Sequence, residues 1–364
     1  MGGGLSFSRP YSQQHYLVWK EQPKCVVVLR KPGPELHQRF LDVLTFLGRR
    51  GLTVLVERWN FGTLPAEPGY EHVFPFEPEV APKLYGAVDF VINLGGNGLI
   101  LHAAALFGAA IPPLISFKLG SLGFLTCHRH ERLLEHLDEV LGGARELAVA
   151  REGAEGGPRA GPLAVRGVPI TLRMRLSCRV VRRDGRQERP VEVLNEVVLS
   201  RGAHPYLCSV EIFERENLVQ ADGIMVATPT GSTAYSVAAG GSLVHPHCPA
   251  ILVTPICPHS LSFRPVILPD YVTLRLRVRP DARNGAQVSF DGRGAEELAP
   301  GESVVVRMSR HPVPTINHTD QTADWFASIQ RCFNWNDRTA QKRLDWDGDA
   351  AAWKFNGNGG EGAD

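Results

Sequence analysis

Up to about residue 150 the hydrophobic positions alternate between short β-branched runs and stretches at helical spacing. Residues 25–30 form a run of Val and Leu that predicts a buried strand. Lys31-Pro32-Gly33-Pro34 stops it, and residues 35–50 then place Phe40, Leu41, Val43, Leu44 and Leu47 on one helical face. Gly51 ends that helix and 52–56 predicts a second strand. A third strand spans 88–94, then Gly95-Gly96-Asn97-Gly98 leads into an apolar helix over about 99–107, and 111–117 predicts a fourth strand. This β–α–β order implies a parallel sheet with right-handed crossovers.

Beyond residue 150 the rhythm changes. Residues 152–162 are rich in Gly and Pro and predict a loop. Residues 170–181 alternate, turn at Asp184-Gly185 and resume over 191–199, the pattern of a hairpin. Short apolar runs follow at 210–213, 224–227, 251–254, 272–278, 288–290 and 304–306, interrupted by one short helix over about 233–239. Residues 322–335 return to helical spacing. The fold class expected is α/β plus all-β. An α/β domain with a parallel sheet spans 17–148, a Gly/Pro-rich loop 149–168 and a β-sandwich 169–321, and a helix at 322–338 packs back on the first domain. Residues 1–16 and 339–364 are expected to be flexible.

Composition narrows the classes. The chain has 364 residues, 39 Lys plus Arg against 38 Asp plus Glu. A formal charge of +1 argues against a nucleic-acid protein working through bulk charge. No run of 18 apolar residues is present, so no membrane helix is expected. The seven Cys are scattered singly without a CxxC pair, which argues for reduced thiols and against a resident metal site. Gly2 within Met1-Gly2-Gly3-Gly4-Leu5-Ser6 makes a weak myristoylation match, too little for stable membrane association. The acid-free start leaves organelle targeting open beside a cytoplasmic location.

Two loops carry most of the chemistry. Glycines 95, 96 and 98 close a strand at the mouth of a helix, where backbone N–H groups and the helix dipole favour phosphate. The same glycines serve a plain tight turn equally well. The string 228–233 holds Thr228, Thr230, Ser232 and Thr233 around Pro229 and Gly231, more hydroxyls than an ordinary helix cap uses. Asn195-Glu196 ends an apolar run, with an amide that can read an adenine edge and a carboxylate that can hold ribose hydroxyls or a metal. A solvated strand end is the plainer reading. Arg264, in Pro258-His259-Ser260-Leu261-Ser262-Phe263-Arg264-Pro265, offers a cation to phosphate. Asp291-Gly292 reads most simply as a turn.

In this order, the motifs resemble the NAD kinase family, with similarity to cytosolic eukaryotic members over roughly residues 17–338. The strings that carry the resemblance are 94–98, 119–125, 195–198, Asp222-Gly223 with 228–235, 254–265 and 289–293. The resemblance implies that NAD binds between the two domains and that ATP with Mg²⁺ or another divalent metal supplies a phosphoryl group to the adenosine-ribose 2′-hydroxyl, giving NADP. It also implies a homodimer or homotetramer. Asn195 and Thr233 would then contact adenine, with Phe124 and Tyr235 packing nearby. Glu196 would hold ribose hydroxyls and Asp222 the nicotinamide end. Thr230, Ala234 and Ala238 would complete the NAD contacts. Gly95, Gly96, Gly98 and Arg264 would serve the phosphates.

One position departs from the family. Where the family reads Gly-Gly-Asp-Gly, this chain has Asn97, at the place of the expected catalytic carboxylate. Asn keeps the shape and one acceptor oxygen but takes no proton and brings no negative charge to Mg²⁺. Loss of a positioned base typically costs about 10²–10⁴ in rate. An impaired kinase is therefore expected, the alternative being a non-catalytic NAD(P)-binding homologue that modulates a partner in mixed oligomers. A lipid or sphingoid kinase shares the glycine turn but lacks the 228–235 and 258–265 strings. A short segment, 214–217, replaces a longer hairpin usual in the family.

Overall fold

The computed structural model describes residues 14–118, 120, 123–143, 145–149, 163–212 and 217–337. Residues 1–13 and 339–364 of the ends expected to be flexible, most of the 149–168 loop and residues 214–216 lie outside them; His15–Leu17 is instead a strand paired with Leu163–Arg173, which takes up the last residues of the expected loop.

Among the described residues the first sheet has ten strands. Its parallel heart runs, side by side, Leu114–Lys118, Phe90–Leu94, Cys25–Arg30, Thr53–Glu57 and Val73–Phe76. Fully buried Val26, Val28 and Ile92 on one face and Val27, Leu29 and Val91 on the other make the central strands hydrophobic on both, because helices cover both. The helix His37–Arg49 buries Phe40, Val43, Leu44 and Leu47. On the other face, Asn97–Phe107 buries Ile100, Ala103, Ala104 and Phe107. From Cys25–Arg30 the chain winds one way to Val73–Phe76, then returns to place Phe90–Leu94 on the opposite side of its starting strand. That reversal opens a crevice at the carboxyl ends of the two central strands.

Two segments expected in the second domain hydrogen-bond into the first sheet. Leu163–Arg173 and Val313–Ile316 pair antiparallel, and Val313–Ile316 also touches Leu114–Lys118. The alternating run at 170–181 is thus two strands. The break falls at Met174-Arg175, where fully buried Arg175 donates to the carbonyls of Gly108, Ala109 and His311. Leu176–Val181 continues into the second sheet. The strand Val73–Phe76 and the helix Leu133–Gly142 were not foreseen.

Among the described residues the second sheet is antiparallel with eleven strands; nine lie on one hydrogen-bonded path, and Ala250–Pro258 and Val266–Pro269 branch from Asn217–Ala227, around one apolar cluster. Leu274–Val278 and Cys208–Ile212 alternate buried and exposed positions, as a sheet with one inner face requires. The hairpin at Asp184-Gly185 forms, with Gly185 at φ +84°. Its return strand ends at Val193, and Glu196–Ser200 pairs elsewhere, with Asn217–Ala227 and Ala286–Phe290. The helix expected at 233–239 is instead a 3₁₀ turn, Thr230–Thr233, and a short α-turn, Tyr235–Ala238. Ala234, at φ −101° and ψ −126°, separates them. The C-terminal helix Gln321–Phe333 packs against Leu163–Arg173. Among the described residues no helix is long and apolar enough to cross a membrane.

Candidate functional site

The glycine turn sits in the crevice between the central strands. Lys31 N–H donates to the Leu94 carbonyl at 3.0 Å and Gly95 N–H to that of Phe117 at 2.8 Å. Gly96 is the N-cap of the helix Asn97–Phe107, so this helix starts two residues earlier than its apolar spacing announces. Among the described residues no side chain caps it, and no acid stands in its first turn, leaving its first N–H groups available to an anion. They open into a cavity of about 740 Å³ lined by Gly95, Gly96, Gly98, Lys31, Lys118 and His102 among others.

The glycines are needed for close approach. A Cβ on Gly95 would lie 3.1 Å from Leu99 Cδ2 and 3.2 Å from Lys31 Cβ, and one on Gly96 would meet the Lys118 side chain at 3.7 Å. Lys118 therefore lies across the turn. Neither Lys31 nor Lys118 has a side-chain hydrogen bond or ion pair among the described residues, and both line the cavity. Buried Arg30 is a strap instead: it donates to Asn60 Oδ1 at 3.0 Å and to the Gly33 carbonyl at 2.9 Å, between the rings of Phe40 and Trp59. Glu57, also on this wall, is 5% exposed. One of its oxygens pairs with His102 Nε2 at 2.9 Å and the other accepts Trp59 Nε1–H at 3.2 Å.

Asn97 turns the other way. Its Oδ1 accepts the Leu125 N–H at 3.4 Å, and a Cβ on Gly123 would lie 2.5 Å from it. Asn97 thus faces the 123–125 segment and does not line the cavity. Phe124 in that segment packs against Phe333 of the C-terminal helix, ring centroids 4.9 Å apart.

The second constellation is built on the Leu194–Glu196 corner. Asp291, at φ +50°, accepts the N–H groups of Leu194 at 2.8 Å, Asn195 at 2.7 Å and Glu196 at 3.2 Å. Burial pushes the Asp291 carboxyl up, and these three hydrogen bonds pull against it. The Asp291-Gly292 turn therefore also locks the corner. Thr228 joins from the opposite side, its N–H on the Asn195 carbonyl at 2.9 Å and its hydroxyl on that of Leu194 at 2.6 Å. Gly231 N–H returns to Thr228 Oγ1 at 3.0 Å.

Glu196 is buried, and burial first, then the Asp291 charge, pushes its carboxyl up to about 7. Among the described residues, Glu196 Oε2 and Thr230 Oγ1 are both buried without a partner. Such polar atoms are costly unless something hydrogen-bonds to them. Thr233 donates to the Thr230 carbonyl at 3.2 Å. Tyr235 is 45% exposed, and Ala234 and Ala238 bracket its turn.

Two expected residues are engaged elsewhere. Asp222 holds Arg201 Nε at 2.8 Å. Arg264 is exposed and donates to the carbonyls of Leu261 and Phe263 in its own loop, outside the cavity. The cations the cavity does present, Lys31 and Lys118, were missed. Each directly follows or ends a buried strand of the parallel sheet, the position where ligand-binding residues collect.

Residues 26–144 match the ATP-NAD kinase N-terminal domain and 194–318 the ATP-NAD kinase C-terminal domain. The chain belongs to the NAD kinase family. It is 48% identical to NAD kinase 2, chloroplastic, of Arabidopsis thaliana over 93% of this chain, although it spans only 33% of that relative's length. It is 42% identical to an ATP-NADH kinase of Saccharomyces cerevisiae over 70% of this chain and 50% of that protein. The fold is similar to that of yeast NADH kinase complexed with NADH, with a TM-score of 0.77 and 29% identity over 93% of this chain and 95% of the other.

Proposed function

We propose that this chain is an ATP-dependent NAD kinase, slowed by Asn97, that moves the ATP γ-phosphoryl group to the adenosine-ribose 2′-hydroxyl of NAD. One observation carries the reading: the glycine turn has a different surface on each side. On one side lies a cavity with an uncapped helix N-terminus and two free lysines, fit for a triphosphate. On the other, Asn97 faces the 123–125 segment. The Asn195–Glu196 corner, with its two unpartnered buried oxygens, supplies the nucleoside contacts.

In this reading Lys31, Lys118 and the N–H groups of Gly96 to Gly98 hold the donor phosphates and neutralise charge as the phosphoryl group moves. The divalent cation arrives as part of MgATP. Glu196 and Thr230 hold the acceptor ribose, and Asn195, Thr233, Phe124 and Tyr235 its adenine. Ala234 and Ala238 leave room for it. Asp222 reaches the nicotinamide end only if Arg201 shares it. Arg264 serves phosphate only after its loop opens. Asn97 supplies an oxygen but no proton acceptor, leaving positioning and electrostatics to carry the transfer. Asn97 alone favours the second reading, a non-catalytic NAD(P)-binding subunit.

We place the protein in the cytoplasm, with the chloroplast as the competing compartment on the names of its plant relatives, and assign it a homodimeric or homotetrameric assembly. The function is tested by incubating the chain with NAD and MgATP and assaying NADP with an NADP-specific dehydrogenase. NADP that accumulates in proportion to protein concentration supports the kinase. Binding of NAD without any NADP supports the non-catalytic subunit.

A further inference from the structure

The cavity beside the glycine turn contains one more built feature. His102 lies on the helix Asn97–Phe107, beyond the glycines, and lines the cavity with Lys31 and Lys118. Its Nε2 is 2.9 Å from Oε1 of Glu57, at the end of the strand Thr53–Glu57. Glu57 is only 5% exposed, and its second oxygen is occupied by Trp59 Nε1–H. A carboxylate buried to this degree is retained at a cost unless it is paired and hydrogen-bonded. Here both oxygens are used, one to aim an imidazole.

The pairing fixes the ring chemically as well as geometrically. A carboxylate accepts, so Nε2 carries the proton, and Nδ1 is the nitrogen left for a ligand. An imidazole that carries a proton on Nδ1 as well is an N–H donor to a phosphate oxygen, with Nε2 held by Glu57. The neighbours reinforce an anion here: Lys31 and Lys118 are unpaired, while Arg30 is committed to Asn60 and Gly33. Of the two acids that line the cavity among the described residues, Glu57 is consumed by the pair and Glu35 follows Lys31 and Pro32 in the loop after the strand Cys25–Arg30.

We propose that His102 is a donor-phosphate ligand of this site and Glu57 its positioning residue, so that the pair holds the triphosphate of MgATP and takes no part in NAD binding. The proposal rests on the kinase reading above and assigns it a donor contact from the far wall of the cavity. With Lys31, Lys118 and the helix N-terminus, His102 completes a cradle that touches phosphate from several directions, so each contact adds orientation as well as charge.

The test uses the whole chain and two separate titrations by calorimetry, one with MgATP and one with NAD. His102→Gln retains a donor toward Glu57 but has no second ring nitrogen for phosphate; it should weaken MgATP at least tenfold and leave NAD within twofold. Glu57→Gln should weaken MgATP about threefold. The double variant should be no worse than His102→Gln, because the two residues act as one unit. In the unmutated chain, which removes any question of folding, the His102 ring resonances should move on adding MgATP and stay still on adding NAD. A His102→Gln chain that binds MgATP as the unmutated chain does, or loses both ligands equally, overturns the proposal. An unmutated chain that binds NAD but not MgATP overturns it too and leaves the non-catalytic subunit standing. Binding of neither overturns the kinase-family site itself.

Discussion

The Asp291 carboxylate accepts the backbone N–H of Asn195 at 2.7 Å and, with its two oxygens, also takes those of Leu194 and Glu196. In the sequence Asp291 is an ordinary turn residue next to glycine, and it is also an acid to which a missing catalytic base could be reassigned. The structure gives it a different task. It holds the corner that carries Asn195 and Glu196, and it has little accepting capacity left for a substrate proton.

Removing that carboxylate should therefore cost stability as well as ligand binding. Asp291→Ala leaves three partly buried N–H groups without acceptors, at about 1–3 kcal/mol for each that water does not reach. Chemical denaturation should show a loss of at least that size for one group, with NAD affinity falling alongside. A variant as stable as the unmutated chain would show that the corner holds itself.

Glu196 should leave a signature in the pH dependence of stability. Its carboxyl is raised from 4.5 to about 7. Between those values the folded chain holds a proton that the unfolded chain has released. Stability therefore falls as pH rises from about 4.5 to 7 and levels off above. Over that window the contribution is about 3 kcal/mol. Asp291, also raised by burial, acts with the same sign. Denaturation of Glu196→Gln over this range should show a shallower fall than the unmutated chain. Parallel curves would mean that Glu196 titrates alike in both states.

Gly231 allows two loops to touch. A Cβ there would lie 2.2 Å from the Asn195 carbonyl oxygen and 2.6 Å from its carbon, both backbone atoms with nowhere to move. Gly231→Ala should cost about 1–3 kcal/mol by overpacking. It should also weaken NAD more than MgATP, since the displaced loop carries Thr230 and Thr233. Equal loss of both nucleotides would count against separate binding surfaces.

Local pattern revealed much of the fold. Cys25–Arg30 has the residues its apolar run announces, and the helix read at 35–50 is His37–Arg49. The strand Val73–Phe76 escaped because Pro75 and Pro78 mask it; it survives at the outer end of the sheet, where a missing N–H costs nothing. The helix Leu133–Gly142 went unread, although Leu133, Leu137, Val140 and Leu141 are the residues it buries. The order of motifs identified the family, because each motif is local. What no local pattern contains is the pairing of Glu57 with His102, 45 residues apart, or the crowding of Gly231 against Asn195, both of which exist only once the chain is folded. Arg264 shows the converse, a cation well placed in sequence whose donors are spent on its own loop.

The most direct test of the whole account is the rate of NADP formation from NAD and MgATP by this chain and by Asn97→Asp. Asn97 already offers its side-chain oxygen to the Leu125 N–H, so Asp fits the same place and adds a proton acceptor. The account predicts slow turnover by the unmutated chain and at least a tenfold higher kcat for Asn97→Asp, with the NAD dissociation constant little changed, the mark of an interaction made mainly in the transition state. No NADP from either chain, with both nucleotides bound, would contradict it.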